Sequence, residues 1–476
     1  MPEPSVEPAP SSVPATERDA PATAPPTEQP TDPASGIPAR AQWPILAVAF
    51  LVGIVIRWIL LPSEGLRGDL DQFVGWVHHI AVNGLGSLYN GTDAGPVTFG
   101  PVMAYVWAVL GAVQPDFATV TDASSESIRA LMKVPASLAD LGMAAIAVYA
   151  LRAHRTWAVL AAAAILVHPA VVDVSAWWGQ YESIFVVSAL GAVVFAINGR
   201  NGPAAALVAV SLMTKPQAIP FLIPFAAWFW VTGTRRVGAD GQPAGAKGGI
   251  REIARTGLIG LVTSVVLWLP FIPAGGPANY LQNLATYQNE IFNVLSLRAW
   301  NAWWLVQEFG AGGGFVADDV AFLGPFTLRH IGYLVTGMLS LVITWSIIRD
   351  PRPRTLIVGL AASVLVFFSF MTQMHERYAY AAVIFLVLLL PDGRMRWLWV
   401  ALSVVFTINL LAAIPPTPTI GEWLPVSGPL AIAGSIAIIA LTLISLAWLL
   451  RGADGANEGR SRRDASRTRP GAAPGR

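Results

Sequence analysis

The sequence predicts an all-α, polytopic membrane protein, on the evidence of its composition and of the length of its apolar runs. Hydrophobic residues make up 54% of the 476 residues and charged residues only 12%, whereas soluble globular domains carry roughly 25% charged residues. A membrane-spanning helix needs about 20 mostly apolar residues, and runs of that kind recur from Trp43 almost to Leu450. These two observations argue against a soluble fold.

Charge balance and the absence of cysteine limit the chemistry. The formal net charge is +1, so the charge balance indicates no nucleic-acid partner. The chain contains no cysteine, which excludes disulfides, thiol catalysis and thiolate metal sites. We expect neither a cofactor nor a metal site.

Two polar tails flank the apolar region. Residues 1–42 hold eleven prolines and six acidic residues with almost no large apolar side chain, a composition typical of disorder. Residues 451–476 carry seven arginines and three acidic residues. This basic tail is also predicted to be disordered and to lie near anionic lipid headgroups. The predicted transmembrane domain is the region between them, residues 43–450.

Twelve full membrane spans are predicted, several of them shorter than a straight crossing requires. Such helices must extend into polar flanks or break inside the protein. Segment 98–113 opens with Thr-Phe-Gly-Pro and is too short to span fully, so we expect a re-entrant or poorly spanning helix there. The predicted spans are 44–62, 128–151, 156–176, 181–198, 203–214, 217–232, 256–272, 326–348, 355–372, 378–391, 397–413 and 429–450.

Basic residues predict the side of the membrane on which each loop lies. Five loops hold thirteen Lys and Arg, against four to six in the opposite loops. The positive-inside rule places these five loops and both tails in the cytoplasm of a cell-membrane protein. Loops 63–97 and 273–325 are then extracytoplasmic, and their aromatic, amphipathic stretches are predicted to be interfacial helices that cover a cavity. The basic loops are 152–155, 198–202, 233–255, 349–354 and 391–396.

Four polar motifs, far apart in sequence, fall at the mouths of spans on this extracytoplasmic face. They are residues 67–71, 177–182, 214–217 and 373–377. The topology therefore predicts an extracytoplasmic site where these motifs meet.

Two acids, Asp69 and Asp71, directly follow the first span. Acidic residues are favoured in the first turn of a helix, so the pair is explained by helix initiation alone. Alternatively, one carboxylate is a general base that takes the proton of a sugar hydroxyl as its oxygen attacks. Spacing alone does not rank the two acids.

His375, Glu376 and Arg377 stand between two spans that are otherwise uncharged, where an ionisable group is costly unless it is paired or hydrated. One interpretation is an ion cluster in contact with water. The functional one is an anion site, with Arg377 as a bidentate phosphate ligand and His375 as a further donor. Lys215 fits the same phosphate-binding role, or else snorkels to water.

Charges inside the predicted spans have structural interpretations. Asp140 must be paired or face a polar interior, and Lys133 shares a polar stripe with it two turns earlier on the same helix. Arg57 is expected to snorkel outward.

Taken together, the motifs resemble the GT-C superfamily of glycosyltransferases that use polyprenyl-phosphate sugars. The resemblance is to the branch that contains the glucosyltransferases of the lipid-linked glycan for asparagine glycosylation and bacterial mannosyltransferase-like relatives. That branch has a Gly-Asp-x-acid motif after the first span, as at residues 68–71, and an Ala-Asp-Leu in a later span, as at 139–141. Its Gln-Tyr loop, Lys-Gln helix break and His-Glu-Lys motif resemble residues 180–181, 215–217 and 375–377.

This resemblance implies a GT-C fold, Asp69 as the catalytic base, a polyprenyl-phosphate sugar as the donor and a glycan or glycolipid as the acceptor. Our hypothesis for the reaction is an inverting transfer of a hexose, with Arg377, His375 and Lys215 stabilising the charge on the leaving phosphate oxygen. The other residues implied to bind substrate are Trp178, Gln180, Tyr181, Glu182 and Glu376.

Three departures from the branch lie close to the expected sugar pocket. Arg377 replaces a lysine, Trp178 and Gly179 replace a His-Phe pair, and Glu182 replaces an asparagine. Glucose therefore cannot be carried over as the sugar, and mannose is a candidate.

A flippase or other secondary transporter of lipid-linked sugars is the alternative, because it too would have many spans, broken helices and intramembrane charges. A transporter is expected to show repeated halves around a midplane cavity, and the sequence shows no internal repeat. The clustering of charge at one face favours the enzyme.

Overall fold

The computed structural model describes residues 39–238 and 241–467, with side chains for residues 40–238 and 241–452. Most of the predicted N-terminal tail, residues 1–38, and the end of the predicted C-terminal tail, residues 468–476, lie outside the described residues. The last helix continues through Leu450 to Arg467. The backbone of residues 451–467 is therefore helical in this structure.

The described residues form eighteen α-helices, numbered here in chain order. Those of the first half are α1 (Ala39–Leu60), α2 (Arg67–Asn83), α3 (Pro101–Val113), α4 (Glu126–Ala150), α5 (Arg155–Val167), α6 (Pro169–Val172), α7 (Glu182–Ile197), α8 (Asn201–Leu212) and α9 (Ile219–Arg235). Those of the second half are α10 (Gly245–Trp268), α11 (Gly276–Thr286), α12 (Ala302–Ala311), α13 (Leu328–Arg349), α14 (Pro353–Phe370), α15 (Tyr380–Val387), α16 (Gly393–Ala413), α17 (Pro418–Trp423) and α18 (Pro429–Arg467).

Short irregular elements join these helices. Two are π-helical, Asp173–Trp178 and Tyr287–Ile291. The 3₁₀ turns are Leu85–Asn90, Pro115–Ala118, Pro216–Ala218, Leu269–Ala274 and Glu376–Ala379. The strands are β1 (Ser296–Leu297), β2 (Ala321–Leu323), β3 (Phe326–Thr327) and β4 (Met374–His375), with β1 parallel to β4 and β2 antiparallel to β3.

Seven helices in the described chain are long and apolar enough to cross a membrane, or eight if α5 and the bent segment Pro169–Trp178 count as one span. Each of the twelve predicted intervals coincides with a helix, but α7 and α8 are short apolar helices. The count of twelve full spans is therefore not confirmed. Helix α3 has 13 residues, which at about 1.5 Å per residue is shorter than the roughly 30 Å hydrocarbon core. It fits the predicted poorly spanning segment.

Helix α14 lies at the centre of the bundle. It packs against α9, α13, α15 and α18, and 78% of its apolar window is buried. The windows of α1 and α10 are only 11% buried. Because exposed apolar side chains are compatible with lipid, α1 and α10 have the surface of lipid-facing helices.

The start of α3 fixes the helix break at Lys215. Gly100 N donates to the carbonyl oxygen of Thr214 at 3.0 Å. A Cβ on Gly100 would lie 2.1 Å from the carbonyl oxygen of Met213, so only glycine allows this approach. The close contact positions the backbone from which the Lys215 side chain extends.

Asp140 and Arg57 form a buried ion pair. Arg57 donates to Asp140 Oδ2 from Nη2 at 2.6 Å and from Nε at 3.2 Å, and Ser175 and Ser183 also donate to this carboxylate. The prediction of a partner for Asp140 is confirmed. The prediction that Arg57 snorkels is wrong, since it is only 4% exposed and finds a carboxylate and the carbonyl of Leu166 inside the protein.

Candidate functional site

The helix breaks bring most of the predicted motif residues to one cavity of about 630 Å³. We refer to its polar lining residues as the polar wall and to its apolar lining residues as the apolar wall. The predicted site residues in the polar wall are Asp69, Trp178, Gln180, Lys215, His375, Glu376 and Arg377. The apolar wall includes Ile219, Pro220, Phe315, Tyr333, Phe367 and Phe368.

Asp69 lies in the first turn of α2 with its two carboxylate oxygens in different environments. Oδ2 accepts hydrogen bonds from Trp178 Nε1 at 2.9 Å and Gln180 Nε2 at 2.5 Å. Among the described residues, no donor contacts Oδ1. One oxygen therefore orients the carboxylate, and the other is free to accept a proton from a molecule in the cavity.

A turn after the π-helical segment directs Trp178 and Gln180 toward Asp69. Gly179 follows that segment with φ +90°, a left-handed conformation that favours glycine. A Cβ on Gly179 would lie 2.7 Å from Leu70 Cδ2 and 3.0 Å from Lys133 Cγ. The turn thus packs directly against α2 and α4. Single π-helical turns inside helices are frequent at functional sites.

Arg377 is held by two carboxylates. Its Nε donates to Glu182 Oε1 at 3.1 Å and its Nη1 to Glu376 Oε1 at 3.0 Å, and its guanidinium stacks 4.8 Å from the centre of the Trp178 ring. Burial opposes the charged form, but Glu376 and Glu182 outweigh it and raise the pKa of Arg377 above its ordinary value. Arg377 is therefore a fixed cation at the wall of the cavity.

Lys215 shares one carboxylate with Arg377. Its Nζ lies 2.6 Å from Glu182 Oε1 and 3.2 Å from Gln180 Oε1. Burial lowers the pKa of Lys215 to about 8, although Glu182 acts in the opposite direction. Glu182 Oε2 has no hydrogen-bond partner within the described part of the chain. Glu182 does not itself line the cavity. It pairs with both Lys215 and Arg377 and so links these two cations.

The His375 ring lies between Phe292 and Tyr378, with ring centres 5.1 Å away on each side. Arg377 Nη1 lies 3.2 Å from His375 Nδ1, and because arginine only donates, Nδ1 accepts. Burial, followed by the charges of Arg377 and Lys215, lowers the pKa of His375 well below its ordinary value. His375 is therefore a neutral imidazole with its proton on Nε2.

Besides Glu182, two predicted site residues, Asp71 and Tyr181, do not line the cavity. Asp71 Oδ1 accepts from Ala123 N at 2.8 Å and pairs with Arg67 at 3.0 Å, so its carboxylate holds a loop. Tyr181 is fully buried in an aromatic cluster, and its hydroxyl donates to the Met132 carbonyl at 3.1 Å. The structure separates these two residues from the other predicted site residues.

The contacts that loop 273–325 makes at the cavity were only partly predicted. Gln72 Nε2 donates to Tyr287 Oη and Gln288 Nε2 to Tyr333 Oη, both at 2.9 Å. Consecutive residues of one π-helical turn thus tie α2 to α13 across the cavity. Aromatic residues in loop 273–325 had indicated a cover, but no sequence signal singled out Gln72 or the cavity-lining Arg298.

Comparison with known proteins identifies a family. A sequence model of the ALG6, ALG8 glycosyltransferase family matches residues 96–415, more than half of the chain. Asp69 precedes the matched segment. No curated protein matches the sequence.

Two solved structures of low sequence identity are similar over most of the chain. ArnT from Cupriavidus metallidurans, bound to undecaprenyl phosphate, has a TM-score of 0.47 at 14% identity, with 91% of this chain and 82% of that chain covered. The archaeal oligosaccharyltransferase AglB from Archaeoglobus fulgidus, in complex with an inhibitory peptide and a dolichol-phosphate, has a TM-score of 0.40 at 13% identity, with coverages of 87% and 56%.

Proposed function

The chain belongs to the ALG6, ALG8 glycosyltransferase family, and from that premise we propose that it moves a hexose from a polyprenyl-phosphate-linked donor to a lipid-linked or cell-envelope glycan. The family membership confirms the resemblance drawn from the motifs and favours an enzyme over a transporter. The observation that carries the proposal is the divided environment of Asp69, a cavity-lining residue with one oxygen held by Trp178 and Gln180 and the other without a hydrogen-bond donor among the described residues.

In the proposed reaction, Asp69 removes the proton of an acceptor hydroxyl while its oxygen attacks the anomeric carbon of the donor. The bond from that carbon to the phosphate oxygen breaks, and the phosphate leaves on the lipid. Charge grows on the leaving oxygen, where preorganised donors are most effective. Arg377, Lys215 and the neutral His375 supply such donors along one wall.

A single displacement with inversion is supported by the state of the other acids. A double displacement would need a second free carboxylate as nucleophile. Glu182 is ion-paired with Lys215 and Arg377, and Glu376 with Arg377. Within the described residues, Asp69 has no cation at ion-pair distance. Because pairing with a cation weakens a carboxylate as a nucleophile, Glu182 and Glu376 are poor candidates for a second displacement.

Donor placement follows from the two walls of the cavity. The apolar wall suits the prenyl chain, because apolar surface gains by excluding water. The polar wall suits the phosphate and the sugar. Trp178 and Arg377, two positions at which this chain departs from the family branch, belong to the polar wall. We therefore propose that these residues determine which sugar is bound. Mannosyl donors are the first to test.

Sidedness follows from the basic loops, which put both tails in the cytoplasm and the cavity at the extracytoplasmic face of the cell membrane. The cysteine-free chain suits single-cysteine labelling in intact cells. An impermeant maleimide should label Asp93→Cys and spare His154→Cys, and the reverse pattern would overturn the topology.

Asp69→Asn and Asp71→Asn form a matched pair, because the two acids are two residues apart and only Asp69 faces the cavity. Loss of a general base typically costs about 10²- to 10⁴-fold in rate. We expect that loss for Asp69→Asn, with polyprenyl-phosphate binding retained, and near wild-type transfer for Asp71→Asn. Donor consumption by purified protein with polyprenyl-phosphate hexoses and an acceptor extract measures both.

Two outcomes would reject Asp69 as the base. One is residual Asp69→Asn activity above about a tenth of wild type, given the typical contribution of a base. The other is an equal loss in both variants, which would indicate that the turn needs negative charge rather than a proton acceptor.

A further inference from the structure

Three basic side chains line the cavity in the described part of the chain: Lys215, Arg298 and Arg377. Lys215 and Arg377 share Glu182, and Arg377 also binds Glu376. Within the described residues, Arg298 has no carboxylate at ion-pair distance. It is the cavity cation whose charge no protein acid offsets.

This difference matters for an anionic ligand. The charges of Lys215 and Arg377 are offset by three carboxylates, those of Asp69, Glu182 and Glu376. This group of residues therefore has no excess of positive charge. A phosphodiester brings at least one negative charge, and the phosphate released by transfer brings more. Such a group needs a cation that is not already paired.

Arg298 is anchored so that its side chain stays at the cavity. Its Nη1 donates to the carbonyl oxygen of Ala413, at the end of α16, at 2.9 Å. Arginine has five N–H donors in a planar fork, so this anchor uses one of its donors and leaves others for a ligand. The neighbouring cavity residues include Leu297 and Ile414, which place this cation beside apolar surface.

The backbone at Arg298 is in a conformation that non-glycine residues rarely adopt. Arg298 has φ +62° and Gln373 has φ +63°. Both lie where β1 pairs with β4, and an antiparallel bridge joins Arg298 to His375. Strained conformations persist where the surroundings enforce them, often at ligand sites.

Specific hydrogen bonds enforce this conformation. Asn409 Nδ2 donates to the carbonyl oxygen of Arg298 at 2.9 Å, while Asn409 Oδ1 accepts from Trp300 N at 3.1 Å. Across the pair, Gln373 N donates to the carbonyl oxygen of Leu295 at 3.0 Å. The strained turn therefore brings Arg298 next to the backbone of His375, one of the proposed phosphate ligands.

We propose that Arg298 is a ligand of the donor's lipid-linked phosphate. It lines the same cavity as Lys215 and Arg377 and supplies a cation that no carboxylate of the described residues neutralises. This inference rests on the proposed function, because it assigns the phosphate site of that reaction. The recognised chemistry is an anionic phosphate next to a prenyl chain, and free phosphate or the chain alone are the alternatives that the test separates.

Binding to purified full-length protein tests the assignment with three probes: undecaprenyl phosphate, undecaprenol and inorganic phosphate. The variant is Arg298→Asn, since asparagine tolerates a left-handed backbone better than most residues. Arg298→Lys restores the charge without the planar fork. Arg67→Asn is the matched control, because Arg67 pairs with Asp71 outside the cavity.

We expect Arg298→Asn to weaken undecaprenyl phosphate binding about ten- to hundredfold, as for the loss of a charge-assisted hydrogen bond, and to leave undecaprenol binding unchanged. Arg298→Lys should recover part of the loss, and Arg67→Asn should bind as wild type. Equal weakening of undecaprenyl phosphate and undecaprenol would overturn the proposal by showing a packing role. Unchanged binding of undecaprenyl phosphate to Arg298→Asn would also overturn the proposal. So would tighter binding of inorganic phosphate than of undecaprenyl phosphate, if Arg298→Asn lost the binding of both equally.

The experiment separates failure of the Arg298 assignment from failure of the proposed reaction. If wild-type protein binds undecaprenyl phosphate through Arg298 but transfers no sugar from any hexose donor, the phosphate site stands and the transfer reaction is wrong. If wild-type protein transfers sugar and Arg298→Asn binds and transfers normally, the reaction stands and the Arg298 assignment is wrong.

Discussion

Two carboxylates of this protein, the buried Asp140 and the half-buried Asp69, have opposite surroundings. Asp140 is fully buried in α4, and Arg57, Ser175 and Ser183 donate to its two oxygens. Asp69, at the start of α2, lines a cavity and has one oxygen bound and one without a donor among the described residues. A saturated carboxylate has nothing left to offer a substrate, whereas a half-bound one is oriented and still able to accept a proton.

The cations of the two regions differ in the same way. Arg57 is committed to one carboxylate and two backbone carbonyls inside the bundle. Lys215 and Arg377 also have carboxylate partners, but they line the cavity together with the unpaired Arg298. Buried charge thus stabilises the bundle at Asp140 and prepares a binding site at Asp69. What separates the two is whether the hydrogen-bonding groups are saturated.

Breaking the Asp140 pair should have the largest effect on stability. Removing one partner of a buried ion pair typically costs about 3–5 kcal/mol, because the other charge stays buried without compensation. We expect Asp140→Leu and Arg57→Met each to lose about this much free energy of unfolding. The double variant should recover most of it, as apolar replacements of whole pairs often do. Thermal melting in detergent measures all three proteins.

This prediction would fail if the double variant were as unstable as the two single variants combined, because the pair would then have no coupling. It would also fail if either single variant melted like wild type. Asp69→Asn is the matched comparison, and it should melt close to wild type because its carboxylate already faces the cavity.

Removing the Glu182 carboxylate should lower the stability of the protein by a smaller amount, and a bound lipid phosphate should restore it. Glu182→Gln leaves Lys215 and Arg377 without their shared acid, although Arg377 keeps Glu376. Loss of such a partner costs about 1–3 kcal/mol. A lipid phosphate can replace the missing negative charge, so undecaprenyl phosphate should raise the melting temperature of Glu182→Gln more than that of wild type. An equal rise in both proteins would contradict a phosphate site beside these cations.

The pH dependence of transfer should show the smallest effect. Lys215 is charged below its pKa of about 8, so its charge is lost as the pH rises through that value. We expect kcat/KM, which reports the free enzyme, to fall on the order of tenfold between pH 7 and pH 9, since a pKa near 8 leaves about a tenth of the side chains charged at pH 9. Lys215→Arg should remove this fall, because arginine stays charged.

His375 provides an internal control for that profile. Its pKa is lowered well below the ordinary value by burial and by neighbouring cations, so we expect it not to titrate where an ordinary imidazole does. Transfer should show no inflection near pH 6.5 from this residue. A bell-shaped profile with an acidic limb that His375→Gln abolishes would show that the imidazole titrates and that its neutral role is wrong.

Helix positions and the gathering of the motifs were within reach of sequence reasoning. Each predicted span interval contains a helix, and seven predicted site residues line one cavity. Sequence spacing could not rank Asp69 above Asp71, because both acids fall in the first turns of α2 and only the packing of the Gly179 turn decides which one faces the cavity. Tyr181 was misplaced for a related reason, since its neighbour Gln180 points into the cavity while its own ring packs into the aromatic core.

By itself, the sequence determined that this is a helical multi-pass membrane protein with polar residues concentrated at the ends of its helices. Composition and apolar run length decide this, because a helix satisfies its own backbone within a lipid bilayer. Only the tertiary structure decided which charges are saturated and which remain available. Arg57 and Asp140 are 83 residues apart, and Glu182 and Arg377 are 195 apart. Pairs so distant in the chain are chosen by packing, and so is the strained turn that brings Arg298 to the cavity.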